Sequence, residues 1–233
     1  MATKIPDGLS IQVLKLNNNY IKGTIPVSFG KMIHLLDLDL SENEITGTLP
    51  TIIGQMHALE ILKLNNNELT AGLPTELGYV RKLKVLEVST NLIDAIPTEL
   101  GDLTNLENLA LNFNHIEGPL PSEFGQLTSL MYLDLSNNLF ADKLPKEVSN
   151  LSNLMYLYLN NNQFDGEIPS EFGALNKLKE LDISDTGLTG DMGPQFCSSG
   201  NPIEMFKADC LLTEVDLPCA TDCCDSDDNC VQQ

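Results

Sequence analysis

The chain has 233 residues and a formal charge of −20, and its pI is near 4.2. Because nucleic acids and anionic membrane surfaces are themselves negative, this balance makes both of them poor partners. No apolar run approaches the roughly 18 residues that a membrane span needs, so the charge and hydropathy leave a basic protein face, a cationic peptide, a neutral glycan or Ca²⁺ as compatible partners.

The first ten residues, MATKIPDGLS, contain no apolar signal core. A secretory signal peptide would show a charged start followed by an apolar stretch. We therefore expect this sequence to begin inside a longer protein, without the signal peptide of the full-length chain.

One pattern then recurs from end to end. It reads Leu-x-x-Leu-x-Leu-x-x-Asn, as in Leu35, Leu38, Leu40 and Asn43. The Asn of this pattern falls every 24 residues, with a single step of 23, at Asn19, Asn43, Asn67, Asn91, Asn114, Asn138 and Asn162, and Thr186 holds the eighth place. We number these repeats coil 1 to coil 8. A period kept this strictly is the signature of a solenoid.

Each coil is predicted to begin with a short strand. The leucines of Leu-x-Leu point inward and their neighbours point outward, because side chains alternate along a strand. Stacked coils would pair these strands in one parallel sheet of eight strands. The Asn amide would turn inward and satisfy buried backbone groups, so the seven asparagines are predicted to form a structural ladder.

The second half of each coil predicts a compact turn. A proline recurs there, at Pro26, Pro50, Pro74, Pro97, Pro121, Pro145 and Pro169. Because proline fixes φ and cannot donate, we expect extended or 3₁₀ turns on the convex side. The glycine four residues after most of these prolines predicts a turn with positive φ. Ala71, Ala95 and Asp142 replace an earlier glycine, and coil 4 is one residue short, which predicts shifted turns in an unbroken stack.

The end of the chain differs in composition, and we divide the sequence into a solenoid, residues 1–192, and a cysteine-rich cap, residues 193–233. All six cysteines lie in the cap, at Cys197, Cys210, Cys219, Cys223, Cys224 and Cys230. An even, clustered set predicts three disulfides and an oxidising, extracellular setting. The spacing fits a zinc site poorly, so no metal is expected there. Phe206 and its apolar neighbours are predicted to cover the last coil.

Two modifications or ligands are suggested by short motifs. The acidic tail, with Asp222, Asp225, Asp227 and Asp228, lacks the Gly and Glu of an EF-hand loop and predicts at most weak Ca²⁺ binding. Asn150 heads the one Asn-x-Ser/Thr sequence of the chain and is a candidate for glycosylation on a convex loop.

The outward strand positions predict the ligand site. They align in columns on the concave face, and aromatic residues gather in coils 5 to 7 beside polar side chains. The candidate site comprises Phe113, Tyr132, Asp134, Tyr156, Tyr158, Asn160 and Asp182. A contiguous aromatic group on a surface expected to face water indicates a binding patch, although packing of the tyrosines against one another would give the same pattern.

The motif L-x-x-L-x-L-x-x-N-x-L-x-G-x-I-P with its 24-residue period resembles the plant-type leucine-rich repeats of receptor-kinase ectodomains and polygalacturonase-inhibiting proteins, over residues 9–192. The ending FKADC…LPCATDCC…C is similar to the cysteine caps of secreted leucine-rich repeat proteins of diatoms. The resemblance implies a right-handed, curved α/β solenoid and an extracellular binding scaffold. It implies no enzyme activity and no cofactor.

The function expected from the sequence is therefore recognition of a protein, peptide or glycan on the concave face. A structural or adhesive matrix protein without a discrete ligand is the alternative. Binding to ice or a mineral surface is a minor one, since flat Thr-rich arrays are absent. Neither the ligand nor the oligomeric state follows from the sequence.

Overall fold

The computed structural model describes residues 10–190 and 205–208, together with the backbone of residues 223–224 and 230–231. Its organising element is a parallel sheet to which every coil contributes one three-residue strand. The strands are Val13–Lys15, Asp37–Asp39, Ile61–Lys63, Val85–Glu87, Asn108–Ala110, Tyr132–Asp134, Tyr156–Tyr158, Glu180–Asp182 and Met205–Lys207. The sheet thus has nine strands where the sequence predicted eight, because a segment beyond residue 192 adds one.

The register of this sheet keeps equivalent residues of successive coils side by side. Leu14 pairs with Leu38, and Leu133 with Leu157. The inward leucines of coils 2 to 8 are almost wholly buried, and Phe140 and Phe164 stack in the core with ring centroids 5.7 Å apart. The predicted solenoid is confirmed.

The asparagine ladder joins each coil to the one before it. Asn138 donates to the carbonyls of Leu111, Leu135 and Ser136 at 2.9–3.2 Å and accepts from the Ile116 N–H at 3.1 Å. The same bonds recur at the ladder asparagines of coils 2 to 7, whereas Asn19 is exposed and bonds within coil 1. Thr186 bonds to Ile183 in its own coil. The ladder is therefore structural, as predicted.

Five-residue 3₁₀ helices form the opposite side of the solenoid, each preceded by one of the repeated prolines as its N-cap. They are Val27–Lys31, Thr51–Gln55, Thr75–Tyr79, Thr98–Asp102, Ser122–Gln126, Lys146–Asn150 and Ser170–Ala174. The prediction of short turns here is confirmed. None of the helices in the described ranges is long and apolar enough to cross a lipid bilayer.

The glycines of these helices serve a different purpose from the one predicted. They do not have positive φ. A Cβ added at Gly101 would lie 2.5 Å from the backbone oxygen of Glu123 in the next coil, and Gly54, Gly78 and Gly125 meet equivalent atoms at 2.4–2.5 Å. The glycines are needed because neighbouring coils approach one another closely at this point.

Two smaller parallel sheets run along the flank between strand and 3₁₀ helix. The first contains Lys22–Gly23, Glu44–Gly47 and Glu68–Leu69, and the second contains Glu117–Gly118, Leu139–Lys143, Gln163–Glu167 and Gly187–Thr189. They are separated at coil 4, the coil that is one residue short, where the described chain has only the isolated bridge between Thr70 and Leu92. The long sheet continues through coil 4, so the shortened repeat shifts the flank without breaking the stack.

The C-terminal region closes the end of the solenoid through its described strand. Met205–Lys207 pairs with Glu180–Asp182, and Phe206, opposite Leu181, is 8% exposed and joins the core. Cys223–Cys224 pairs antiparallel with Cys230–Val231, which places Cys224 opposite Cys230. The side chains of the cysteines and the acidic tail lie outside the described residues, so the disulfides and the Ca²⁺ site stay predictions.

Candidate ligand-binding face

The outward side of the nine-stranded sheet, which we call the sheet face, is acidic over coils 4 to 8, and the ninth strand adds Lys207 opposite Asp182. In coils 4 to 8 its outward positions carry five carboxylates and no lysine or arginine, the carboxylates being Glu87, Asp134, Glu180, Asp182 and Asp185. The lysines of coils 1 and 3 are paired across neighbouring strands, Lys15 with Asp37 at 3.1 Å and Lys63 with Glu87 at 2.9 Å. The face therefore favours a neutral or basic ligand.

Three tyrosines form a cluster on coils 6 and 7, as the sequence predicted. The ring centroid of Tyr132 lies 6.2 Å from that of Tyr156 and 5.7 Å from that of Tyr158, both pairs being tilted. All three side chains are half-buried. The Tyr132 hydroxyl donates to Asp134 Oδ2 at 3.2 Å, and the Tyr158 hydroxyl donates to Glu180. The rings thus offer apolar area, while two of the hydroxyl protons are engaged within the chain.

Those hydrogen bonds and the low exposure of the site change the acidity of its groups. Burial is the main reason that the pKa of Tyr132 and the pKa of Tyr158 lie well above the ordinary value of tyrosine, and the neighbouring carboxylates add to the shift. Both phenols are therefore neutral donors throughout the physiological range.

Two of the residues predicted to contact a ligand, Asp134 and Asp182, already accept hydrogen bonds from neighbouring serines. Asp134 Oδ1 accepts from the N–H and the hydroxyl of Ser136 at 3.0 and 2.7 Å, and Asp182 Oδ1 accepts from Ser184 in the same way. Each aspartate is only 8% exposed. Burial raises the pKa of the Asp134 carboxyl, and the bonds from Ser136 partly oppose that change. These carboxylates act on a ligand mainly through their charge.

A groove of about 450 Å³ opens beside the tyrosine cluster and crosses coils 3 to 6. We call it the coil 5 groove, after the coil at its centre. Its lining is Asn65, Asn66, Glu87, Ser89, Thr90, Asn108, Ala110, Asn112, Phe113, Tyr132 and Asp134. The groove shares Tyr132 and Asp134 with the cluster, so the two features form one continuous surface.

Phe113 stands out among the residues of this groove. Its side chain is 55% exposed, and its φ of +55° lies in the left-handed region. The equivalent residue of every coil adopts the same backbone conformation, and elsewhere it is Asn18, Glu42, Asn66, Thr90, Asn137, Asn161 or Asp185. Asn and Asp tolerate left-handed φ, whereas Glu42, Thr90 and Phe113 are strained there, and Phe113 is the aromatic residue among the eight. Such strain is typical of functional positions.

The structure brings the sequence-predicted residues together unevenly. Phe113, Tyr132 and Asp134 belong to the groove, Tyr156 and Tyr158 flank it through Tyr132, and Asn160 and Asp182 lie farther along the same face. The sequence did not single out Glu87, Asn108 or Asn112. Their signal was present in the outward columns, but polar residues there are also what a solvated surface would show. Asn150 is exposed at the end of a 3₁₀ helix, on the opposite side from the site.

Comparison with known proteins agrees with this architecture. The sequence profile of the leucine-rich repeat family matches residues 10–69, 104–164 and 128–188. The chain belongs to the leucine-rich repeat family. A comparison with proteins of curated function gives no match.

Several solved structures share the leucine-rich repeat fold of this chain. The plant peptide hormone receptor RGFR1, in complex with RGF2, is 26% identical with a TM-score of 0.75 over 88% of this chain and 36% of its own. The ectodomain of the receptor kinase GASSHO1/SCHENGEN3 from Arabidopsis thaliana, in complex with CASPARIAN STRIP INTEGRITY FACTOR 2, is 32% identical with a TM-score of 0.68 over 87% and 28%.

A plant ice-binding protein is 25% identical with a TM-score of 0.58 over 77% of this chain and 74% of its own. This leucine-rich repeat chain spans about a third of the length of the two receptor structures. The predicted resemblance to plant receptor-kinase ectodomains is confirmed.

Proposed function

We propose that this leucine-rich repeat chain is an extracellular recognition module of a receptor-like or secreted protein, and that it binds an extended peptide segment on its sheet face. The observation that carries the proposal is the coil 5 groove, where a strained, exposed Phe113 adjoins the tyrosine cluster. One similar structure is a plant peptide hormone receptor in complex with RGF2, and another is a receptor-kinase ectodomain in complex with CASPARIAN STRIP INTEGRITY FACTOR 2, which supports a peptide or protein ligand.

The dimensions and chemistry of the face suit a peptide. Coils 3 to 8 span about 24 Å at roughly 4.8 Å per strand, the length of about seven extended residues. Asn65, Asn66, Asn108 and Asn112 line the groove, and amide side chains both donate and accept, as peptide backbone groups require. The aromatic rings add apolar contact area for side chains. The proposed role is binding, with no chemical step.

Selection from a displayed random peptide library, followed by calorimetry, tests this function. We expect peptides that bind the native chain and lose at least about tenfold in affinity, or about 1.4 kcal/mol, when Tyr156 and Tyr158 are both changed to Ala. Phe113→Asn should weaken binding as well.

Tyr79→Ala is the matched control, because Tyr79 is 59% exposed on a 3₁₀ helix away from the sheet face. A library that yields no binder, or binders whose affinity falls equally with Tyr79→Ala, would contradict the proposal. Failure of the double tyrosine variant to fold would show in its melting temperature, which we expect to stay close to that of the native chain.

Ice binding is the second candidate, favoured by the similarity to the plant ice-binding protein. A flat surface of regularly repeated threonines would support it. In coils 1 to 7, however, Thr90 is the single threonine at the outward positions of the sheet face. Thermal hysteresis and ice-crystal morphology, measured on the native chain, separate this candidate from peptide recognition. Binding on a glycan array would instead indicate a glycan ligand. A matrix protein without a discrete ligand would be negative in both the peptide selection and the glycan array.

A further inference from the structure

The coil 5 groove has a charge and a shape that select among the side chains of a bound peptide. Two aromatic rings, Phe113 and Tyr132, and two carboxylates, Glu87 and Asp134, contribute to its lining, which contains no lysine or arginine among the described residues. An apolar side chain would gain nothing from the negative charge of these carboxylates, and an anionic one would be repelled.

Phe113 gives the groove its distinctive feature. Phe113 is 55% exposed, at a left-handed position where the other coils carry no aromatic residue. An exposed ring face beside carboxylates attracts a cation, because the electrostatic potential over the ring is negative. Arginine fits this combination better than lysine does, since its planar guanidinium stacks on a ring and donates to two acceptors at once.

The two carboxylates differ in how readily they can form a new ion pair with such a cation. Asp134 is buried and accepts from Ser136 and Tyr132. Glu87 is held by Lys63 at 2.9 Å, and both side chains are partly exposed, at 26% and 36%. A partly exposed ion pair of this kind contributes little to stability, so breaking it costs little. Glu87 is therefore the carboxylate that can turn from Lys63 to an incoming guanidinium.

We propose that the coil 5 groove is a subsite for an arginine side chain of the ligand, which stacks on the Phe113 ring and pairs with Glu87 in competition with Lys63. The inference rests on the proposed peptide-binding function and names the residue type that the groove recognises.

The test uses two blocked amino acids as probes, N-acetyl-arginine methylamide and its neutral isostere N-acetyl-citrulline methylamide. The chain is labelled with fluorophenylalanine, and the resonance of Phe113 among the eight phenylalanines is identified by its absence in Phe113→Asn. We expect the arginine probe to shift this resonance saturably, at least about tenfold more tightly than the citrulline probe.

Two pairs of variants make the role of Glu87 specific. Glu87→Gln should weaken the arginine probe several-fold, whereas Lys63→Met should strengthen it, because Glu87 is then released from its ion pair. Lys22 and Glu44 form a similar pair at 2.9 Å on the flank, so Glu44→Gln and Lys22→Met change the net charge equally and should leave the titration unchanged.

Equal binding of the two probes, an unshifted Phe113 resonance, or a Lys63→Met variant that binds arginine no better would overturn the inference. These outcomes are distinct from failure of the proposed function. If the peptide library yields specific binders without arginine, the chain is a peptide receptor whose groove reads another residue. If it yields none while the arginine probe still binds, the groove is a cation site and the proposed function is wrong.

Discussion

At the scale of single residues, the position before each ladder asparagine shows how a repeat can carry function. The backbone there is left-handed in every coil, so the repeat favours Asn or Asp. Glu42, Thr90 and Phe113 depart from that preference, and Phe113 has the bulkiest side chain of the three. Because a left-handed bulky residue costs about 1–2 kcal/mol, we expect Phe113→Asn to raise the free energy of unfolding by about 1 kcal/mol, as measured by urea denaturation.

Phe113→Ala is the matched control for that prediction. It also removes the ring, but alanine is as poorly suited to positive φ as most other residues are. Equal stability of the Asn and Ala variants would show that the backbone strain at residue 113 is negligible. The functional role of Phe113 would then rest on the exposure of its ring alone.

Asp134 gives a prediction about pH at the same scale. Its ordinary pKa of 3.8 is raised in the folded chain, chiefly by burial. The folded state therefore holds this proton more tightly than the unfolded state, so the contribution of the group to stability is full below pH 3.8 and is lost as the pH rises through the folded-state pKa. Compared with the Asp134→Asn variant, the native chain should become less stable as the pH is raised from below 3.8 to 7, as measured by thermal unfolding.

Asp39→Asn serves for comparison, because Asp39 has the same bonds from Ser41. Asp39 lies in register between Lys15 and Lys63, whereas Asp134 lies between Ala110 and Tyr158, so a pH-dependent loss seen only with Asp134 would arise from its surroundings and not from the serine bonds. A difference between native chain and Asp134→Asn that does not change with pH would mean that the carboxyl titrates alike in the folded and unfolded states.

At the scale of elements, the close contact between 3₁₀ helices sets the spacing of the stack. Gly101→Ala would place a methyl group 2.5 Å from the backbone oxygen of Glu123, an atom that cannot rotate away. We expect a loss of about 1–3 kcal/mol, the usual cost of overpacking, as measured by urea denaturation.

Coil 6 supplies the control, because Ser149 already has a Cβ at the equivalent position and Ser149→Ala should change stability little. A Gly101→Ala variant as stable as the native chain would show that neighbouring coils can separate at this point without cost.

The elements also show what the sequence could and could not predict. Strand, ladder and turn each follow from a residue type repeated at one position, so the period alone located them. The flank sheets and the ninth strand escaped prediction because they depend on how neighbouring coils meet. The predicted role of Gly101 was wrong for the same reason. The sequence does not distinguish a glycine that is required for positive φ from one that is required because neighbouring coils approach closely. In the site, the aromatic residues were visible, but the engagement of Asp134 and Asp182 by serines was not.

At the scale of the whole molecule, stability is a sum of coils and of the contacts between adjacent coils. A coil at an end has fewer such contacts, and the ninth strand supplies them for coil 8. Its backbone binds coil 8 through the Ile183 N–H, which donates to the Lys207 carbonyl at 2.9 Å, and Phe206 seals the core beneath. The ninth strand thus borders the carboxylates of coil 8 on the sheet face, whereas the coil 5 groove lies on coils 3 to 6, away from this end.

Phe206→Ala should therefore loosen one end of the molecule and leave its centre intact. Removal of the buried ring weakens the last contact of the stack, so amide hydrogen exchange in Glu180–Asp182 should become faster, while that in Tyr132–Asp134 stays near its native rate. Met205→Ala, on the outward side of the same strand, controls for loss of a side chain without loss of core. Faster exchange in every coil would mean that the solenoid unfolds as a single cooperative unit, and unchanged exchange in coil 8 would mean that the ninth strand does not stabilise it.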